Sequence, residues 1–202
     1  MSKIEVDTIE PQSGTSLTLG ASGDTITIPS GATLDGSSAT LTGLASTNGI
    51  TMADSWRLTT NFTDDANPIA SNLERVDTDG FGQLGTGMTE SSGIFTFPST
   101  GIYYITFLCT LSANGADIPY HLAGIQTTTD GSTYSNATEP YQQVYASSLA
   151  YASLFSSFIF DVTNTTTHKV RFRINASSSS TTTEGDSAST LTGMNFIRLG
   201  DT

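Results

Sequence analysis

Few residues of this chain are of types that do chemistry, and their spacing suits little of it. There are two histidines, His121 and His168, and one cysteine, Cys109. Cys109 sits inside the apolar run Tyr103 to Leu111 with no histidine beside it in sequence. It reads as a small buried hydrophobe. A lone cysteine also excludes a disulfide within the chain. No nucleophile elbow, phosphate loop, H-E-x-x-H or C-x-x-C motif occurs. Paired carboxylates hydrolyse glycosidic bonds, but Glu90, Glu139 and Glu184 fall where turns and loops are expected, and solvated acids are ordinary there. The expectation is a protein that is not an enzyme. Hard oxygens crowd at Asp64-Asp65 and at Asp77-Thr78-Asp79-Gly80, as calcium prefers. Asp77 and Asp79 are the candidate ligands. Their segment lacks the third acid and the closing Glu of an EF-hand loop, and turn chemistry accounts for Asp79-Gly80 equally well. No cofactor is expected other than calcium at this place.

Charge narrows the partners. The formal net charge is −12, with seven Lys and Arg in 202 residues. Nucleic acids and anionic lipid surfaces require a basic face, so neither is an expected partner. No apolar run approaches the ~18 residues of a membrane-spanning helix. The first residues, MSKIEVDTIEPQSG, contain no apolar stretch of the secretory type. The expectation is synthesis in a cytoplasm and release by another route, such as assembly into a particle freed by lysis.

Two regions differ in composition. Residues 1–50 contain no aromatic residue, and every Phe and Tyr lies beyond residue 60, with Trp56 just ahead. A core-forming domain is therefore expected over 51–202. The first fifty residues carry apolar-x-apolar units: Ile4 and Val6, Leu17 and Leu19, Ile26 and Ile28, then Leu34 and Leu41. Turn signals separate them at Ser13-Gly14, Gly20 to Gly23, Ser30-Gly31 and Asp35-Gly36. Strands of three residues cannot bury an apolar side alone, whereas stacking against identical neighbours supplies the missing core. The pattern predicts a short β-stalk shared between chains.

The remainder reads as strand after strand, with no helical period. Strands are expected at 56–58, 73–76, 93–98, 102–111, 118–127, 141–147, 155–162, 168–175 and 191–199. This density predicts an all-β sandwich or jelly roll. Alternation puts Tyr103, Ile105, Phe107, Cys109 and Leu111 on one face of a strand, with Ile102, Tyr104 and Leu108 on the other. One sheet partner covers one face only. The second face therefore predicts a subunit interface formed by Ile102, Tyr104 and Leu108. Along 168–175, Val170, Phe172 and Ile174 oppose Lys169, Arg171 and Arg173. This basic face is either wet or meets acids of a neighbouring chain.

The run Gly93-Ile94-Phe95-Thr96-Phe97-Pro98, then Thr100-Gly101-Ile102-Tyr103-Tyr104, resembles the G-x-F-x-x-P-x-x-G-x-Y core of the tumour necrosis factor and complement globular-head superfamily. The segment Thr192 to Gly200 resembles that family's closing strand. The resemblance spans roughly residues 55–200 and implies a jelly-roll head assembled as a homotrimer. Two features depart from the family: a Ser/Thr-rich stretch over 176–190, and the absence of a collagen repeat ahead of the head. The N-terminal runs Lys3 to Ile9, Leu17 to Gly20 and Ile26 to Ala32 resemble fibre proteins of marine and cyanobacterial phages. That second resemblance implies docking to other virion proteins through residues 1–30 and attachment of the head to a host-surface glycan or protein. The protein would then reside in the virion. A secreted trimeric ligand or lectin with the same head is the alternative.

With strands alternating up and down, three connections fall at the end far from residue 55: 112–117, 148–153 and 176–190. Loops on a rigid scaffold commonly carry binding. Asn114, Asp117, Glu184 and Asp186 are therefore the expected receptor-binding groups.

Overall fold

In the computed structural model, residues 9–11, 13–16, 18–33, 49–115, 117–146 and 148–202 are described. The chain divides into two compact units, Met1–Ala45 and Ser46–Thr202. In the first, Ile4, Val6, Leu17, Leu34 and Leu41 lie outside the described residues. Its described part has turns at Ser22–Gly23 and Ser30–Gly31 and no strand within the single chain. Gly20, Gly23 and Gly31 take positive φ, and Asp24 closes a turn by accepting from Ala21 N at 2.7 Å. Leu19, Ile26 and Ile28 stay exposed within the single chain.

The second unit is built from thirteen strands and contains no helix among its described residues. They are β1 (Met52–Leu58), β2 (Thr60–Thr63), β3 (Leu73–Arg75), β4 (Thr89–Ser91), β5 (Ile94–Thr96), β6 (Gly101–Asn114) and β7 (Ile118–Thr128). Then follow β8 (Ser135–Thr138), β9 (Tyr141–Val144), β10 (Leu149–Val162), β11 (Lys169–Ala176), β12 (Thr182–Asp186) and β13 (Gly193–Gly200). Two antiparallel sheets form the sandwich. One runs β2-β12-β6-β13-β1-β3, with β10 on the other edge of β6; the second runs β4-β5-β11-β7-β8, with β9 also on β7. This is the all-β jelly roll that the strand density predicts.

Strand β6 organises the first sheet. Its inward residues Tyr103, Ile105, Phe107, Cys109 and Leu111 are fully buried. They meet Phe95, Phe172 and Phe196 from the other strands. Phe95 lies 5.4 Å from Trp56, 5.5 Å from Phe172 and 5.1 Å from Phe196, ring centre to ring centre. Offset and edge-on packing of this kind adds to the burial of apolar area.

The family-like motif has a physical content at each position. Gly93 has φ +81°, and a Cβ there would collide with Ile69 O. Phe95 centres the aromatic cluster. Gly101 has φ +144°, with Arg198 and Gly200 packed against it. Tyr103 donates its hydroxyl to Ser99 O at 2.9 Å, tying the turn to the strand that leaves it.

Four strands were not expected from sequence: β2, β4, β8 and β12. The stretch 176–190, expected to be one long loop, contains β12. Thr181 and Thr183 are buried there, and Thr182 and Thr183 pair with both β6 and β2. β-Branched Thr suits a strand without raising the hydrophobicity that marks one. Glu90 and Glu184, expected in loops, lie in β4 and β12. Replacing Gly93 by Ala should cost about 2–3 kcal/mol, from positive φ and the collision with Ile69 O. Gly82→Ala, where nothing lies within 4 Å of the added carbon, should change stability little. Urea midpoints of the two variants test this pair.

Candidate functional site

Three regions of the head bear on function: its outer sheet face, its two ends, and the polar groups inside it. On the outer face of the first sheet, side chains line up in rows across four strands. Ala53, Ile197, Tyr104 and Ile159 form one row, and Ser55, Asn195, Thr106 and Ser157 the next. Leu108 and Phe155 stand beyond them as a cross-strand pair. Ile159 and Phe155 are 60% and 59% exposed. Ile102, Tyr104 and Leu108 are half-buried on this face, with the polar Thr106 row between Tyr104 and Leu108. Thr106 differs from its neighbours: it is only 8% exposed and accepts a hydrogen bond from Asn195 Nδ2 at 3.1 Å.

Strand registers separate the two ends of the sandwich. Gly101, Val162, Gly200 and Thr128 cluster at the end where Thr51 leads into β1. Asn114, Leu149, Ile118, Val144 and Thr182 lie at the other. Asn114 and Asp117 are exposed there, and Asp117 accepts from Ala146 N at 3.1 Å. Glu184 is engaged inside the sheet, accepting from Ser112 Oγ and, at 2.7 Å, from Asn61 Nδ2. Asp186 closes a turn, taking Ser189 N at 2.7 Å and Ala188 N at 2.6 Å. Those backbone N–H groups, Ser189 first, hold its carboxyl below the usual carboxylate range. The structure thus places Asn114 and Asp117 together at the tip and engages Glu184 and Asp186 in the body of the sheet.

The other acids hold the fold. Asp77 accepts from Arg57 at 2.8 Å, and Glu74 from the same buried guanidinium at 2.7 Å. Asp79 sits at φ 56° and takes the Thr78 hydroxyl. Asp77 Oδ1 is engaged by Arg57 Nη2. Among the described residues no three His, Cys, Asp or Glu side chains converge as metal ligands would. Asp65 anchors Asn175 and Ala176 N, Glu90 takes Gly93 N at 2.6 Å, and Glu139 pairs with Arg173 at 3.0 Å. The basic face of β11 finds most of its partners within its own chain, although Arg173 Nε is buried without one among the described residues. Arg171 donates to Gln126 Oε1 at 2.7 Å and stacks on Tyr134, while Lys169 reaches Thr96 and Thr165 O.

One carboxylate escaped sequence reasoning. Asp54 is buried and accepts from Trp56 Nε1 at 3.0 Å, Met88 N at 2.7 Å and Arg75 Nε at 2.9 Å. It pins the 76–88 segment to β1. Its only sequence signal was position: an acid on the inward phase of an alternating strand.

Cys109 and His121 meet inside the sandwich, Sγ to Nε2 at 3.9 Å. Burial pushes the thiol up to about 12, so no thiolate is available near neutrality. Burial also lowers His121 to about 4, against an opposing attraction from Asp65. His168 stacks on Phe160 and bonds Thr163 and Thr167.

No family model matches the chain, and no curated protein does. Among solved structures the chain is similar to murine APRIL. Crystal structures at pH 8.5, 5.0 and 8.0 superpose with TM-scores of 0.51, 0.53 and 0.51 at 14%, 12% and 12% identity. Each match covers 73% of this chain and 98% of the other. At such identities the likeness is one of fold: the head is a jelly roll of the tumour necrosis factor type.

His121 makes stability depend on pH. The unfolded chain takes up its proton near 6.5 and the folded head only near 4. Stability is therefore full above 6.5 and falls as pH drops toward 4, by about 3 kcal/mol at most. A His121→Gln variant should lack this part of the slope, read from urea midpoints between pH 7.5 and 4.5.

Proposed function

We propose that this chain is a structural and adhesive component of a phage virion, not an enzyme. Residues 1–30 dock to other virion proteins, the first fifty residues form a shared stalk, and three heads assemble to meet a host-surface glycan or protein. The observation that carries the reading is the apolar row Ile197–Tyr104–Ile159 with Leu108 and Phe155, open on the outer face of the first sheet. Isolated apolar side chains on a surface are ordinary, but several large ones gathered on one sheet face, here in two groups flanking the Ser55–Asn195–Thr106–Ser157 row, mark a contact. The chain's low apolar content fits a core shared among copies. The superfamily that the head resembles assembles as trimers about such a face. The end opposite Thr51 would face outward, with Asn114 and Asp117 at its tip.

A secreted trimeric ligand or lectin is the second reading, favoured by the likeness of fold. Antibody labelling of purified phage particles separates the two: label on a fibre supports the first, and protein confined to the medium supports the second.

Light scattering of the full chain should give three times the chain mass. Ile159→Asp should raise the dissociation constant at least a hundredfold, equivalent to about 3 kcal/mol. Because Ile159 is exposed in the single chain, the variant should remain folded. Thr129→Asp, exposed in the turn after β7, serves as control. Thr106 is unsuitable for that purpose, since Asn195 covers it. A wild-type chain that stays monomeric at micromolar concentration would refute the assembly.

A further inference from the structure

Exposed tyrosines are unevenly placed on this head. Of seven in the chain, Tyr120, Tyr141, Tyr145 and Tyr151 are exposed, and all lie toward the end opposite Thr51. Three belong to one surface. On β9, an edge strand paired only to β7, Tyr141 and Gln143 point outward. Tyr145 continues the alternation just past the strand. Tyr141 and Tyr145 are 61% and 72% exposed. Tyr120 of β7 packs edge-on against Tyr141, with ring centres 6.1 Å apart. Asp117, bonded to Ala146 N, adjoins Tyr145.

We infer that Tyr141, Gln143 and Tyr145, with Tyr120 beside them, form a platform for a neutral oligosaccharide. The inference rests on the adhesive reading of the head and names the ligand class. A pyranose ring has one apolar C–H face and a rim of hydroxyls. Tyrosine matches both, as an apolar body with a polar tip, and an exposed amide between two rings both donates and accepts. Side chains at i and i+4 on a strand stand about 13 Å apart. That spacing suits a chain of sugars rather than a single unit.

Charge decides between neutral and anionic glycans. By strand register the nearest cation is Arg173, paired with Gly124 beside the Leu122 partner of Tyr141, and Glu139 neutralises it at 3.0 Å. Among the described residues, Arg57, Arg75 and Arg198 are also paired with carboxylates. Lys169 lies beside Thr128 at the opposite end, and Arg171 is spent on Gln126 and Tyr134. The platform offers an acid, Asp117, and no free cation, on a chain of net charge −12. Sialylated, sulfated or phosphate-bearing sugars would be repelled.

The full chain is tested by affinity electrophoresis in gels containing dextran, mannan, galactan, heparin or polysialic acid, and in parallel for adsorption to phage-susceptible cells. Retardation by at least one neutral polysaccharide, lost at least tenfold in Tyr141→Ala and Tyr145→Ala at unchanged mass and melting temperature, is the expected result. Retardation by the anionic polymers alone overturns the inference. So does unaltered binding by the variants. Variants that lose self-association would instead assign the tyrosines to a subunit contact, again against the inference. If the wild type adsorbs to cells and no neutral polysaccharide is bound, the platform fails and adhesion stands. Absence of both cell adsorption and polysaccharide binding removes the adhesive reading with it.

Discussion

The head depends on one strand being apolar on both sides. Tyr103, Ile105, Phe107, Cys109 and Leu111 of β6 fill the interior, while Ile102, Tyr104 and Leu108 face outward. A strand of this kind is fully buried only when both of its sides are covered. The second sheet provides the inner cover. The same strand also carries the register of its sheet, since β10 pairs along its whole length and β12 and β13 share the other edge. Thr192 Oγ1 bridges the gap between those two by accepting from Thr110 N at 3.2 Å. Disturbing β6 would therefore unsettle the core, the outer face and the pairing of three neighbours together.

Polar groups in the interior have a different role. Asp54 and Arg57, three residues apart on β1 and so on its opposite faces, each anchor part of the 72–88 connection. Asp54 meets Arg75 and Met88 N, and Arg57 meets Glu74, Asp77 and Thr78. A buried ion pair contributes little net stability but is costly to break. Such pairs fix where a long connection lies, which apolar contacts alone do not specify.

How far the sequence disclosed this can be judged residue by residue. Period-2 alternation in large apolar residues located β6 and β11 and gave the right inward sets. The glycine, aromatic and tyrosine spacing from Gly93 to Tyr103 was legible because each position meets a distinct steric demand. Strands β2 and β12 were not legible, because Thr60–Thr63 and Thr182–Asp186 resemble turn-forming stretches in composition. β12 is held by pairing with β6, and β2 by pairing with β12. The carboxylates were the least readable. Sequence marked Asp77, Glu184 and Asp186 as free to bind, yet each has a partner supplied by residues distant in the chain or by a local turn.

The interior thiol has a use that its lack of reactivity creates. Cys109 is fully enclosed, its proton is held to about pH 12, and the chain has no second cysteine. It lies within β6, paired with Leu154 of β10 and facing the opposite sheet, so fraying at the strand ends is not expected to expose it. A thiol-directed reagent can meet it only when the two sheets part. The rate of its modification is then a clock for global opening, read from a single atom at the centre of the head.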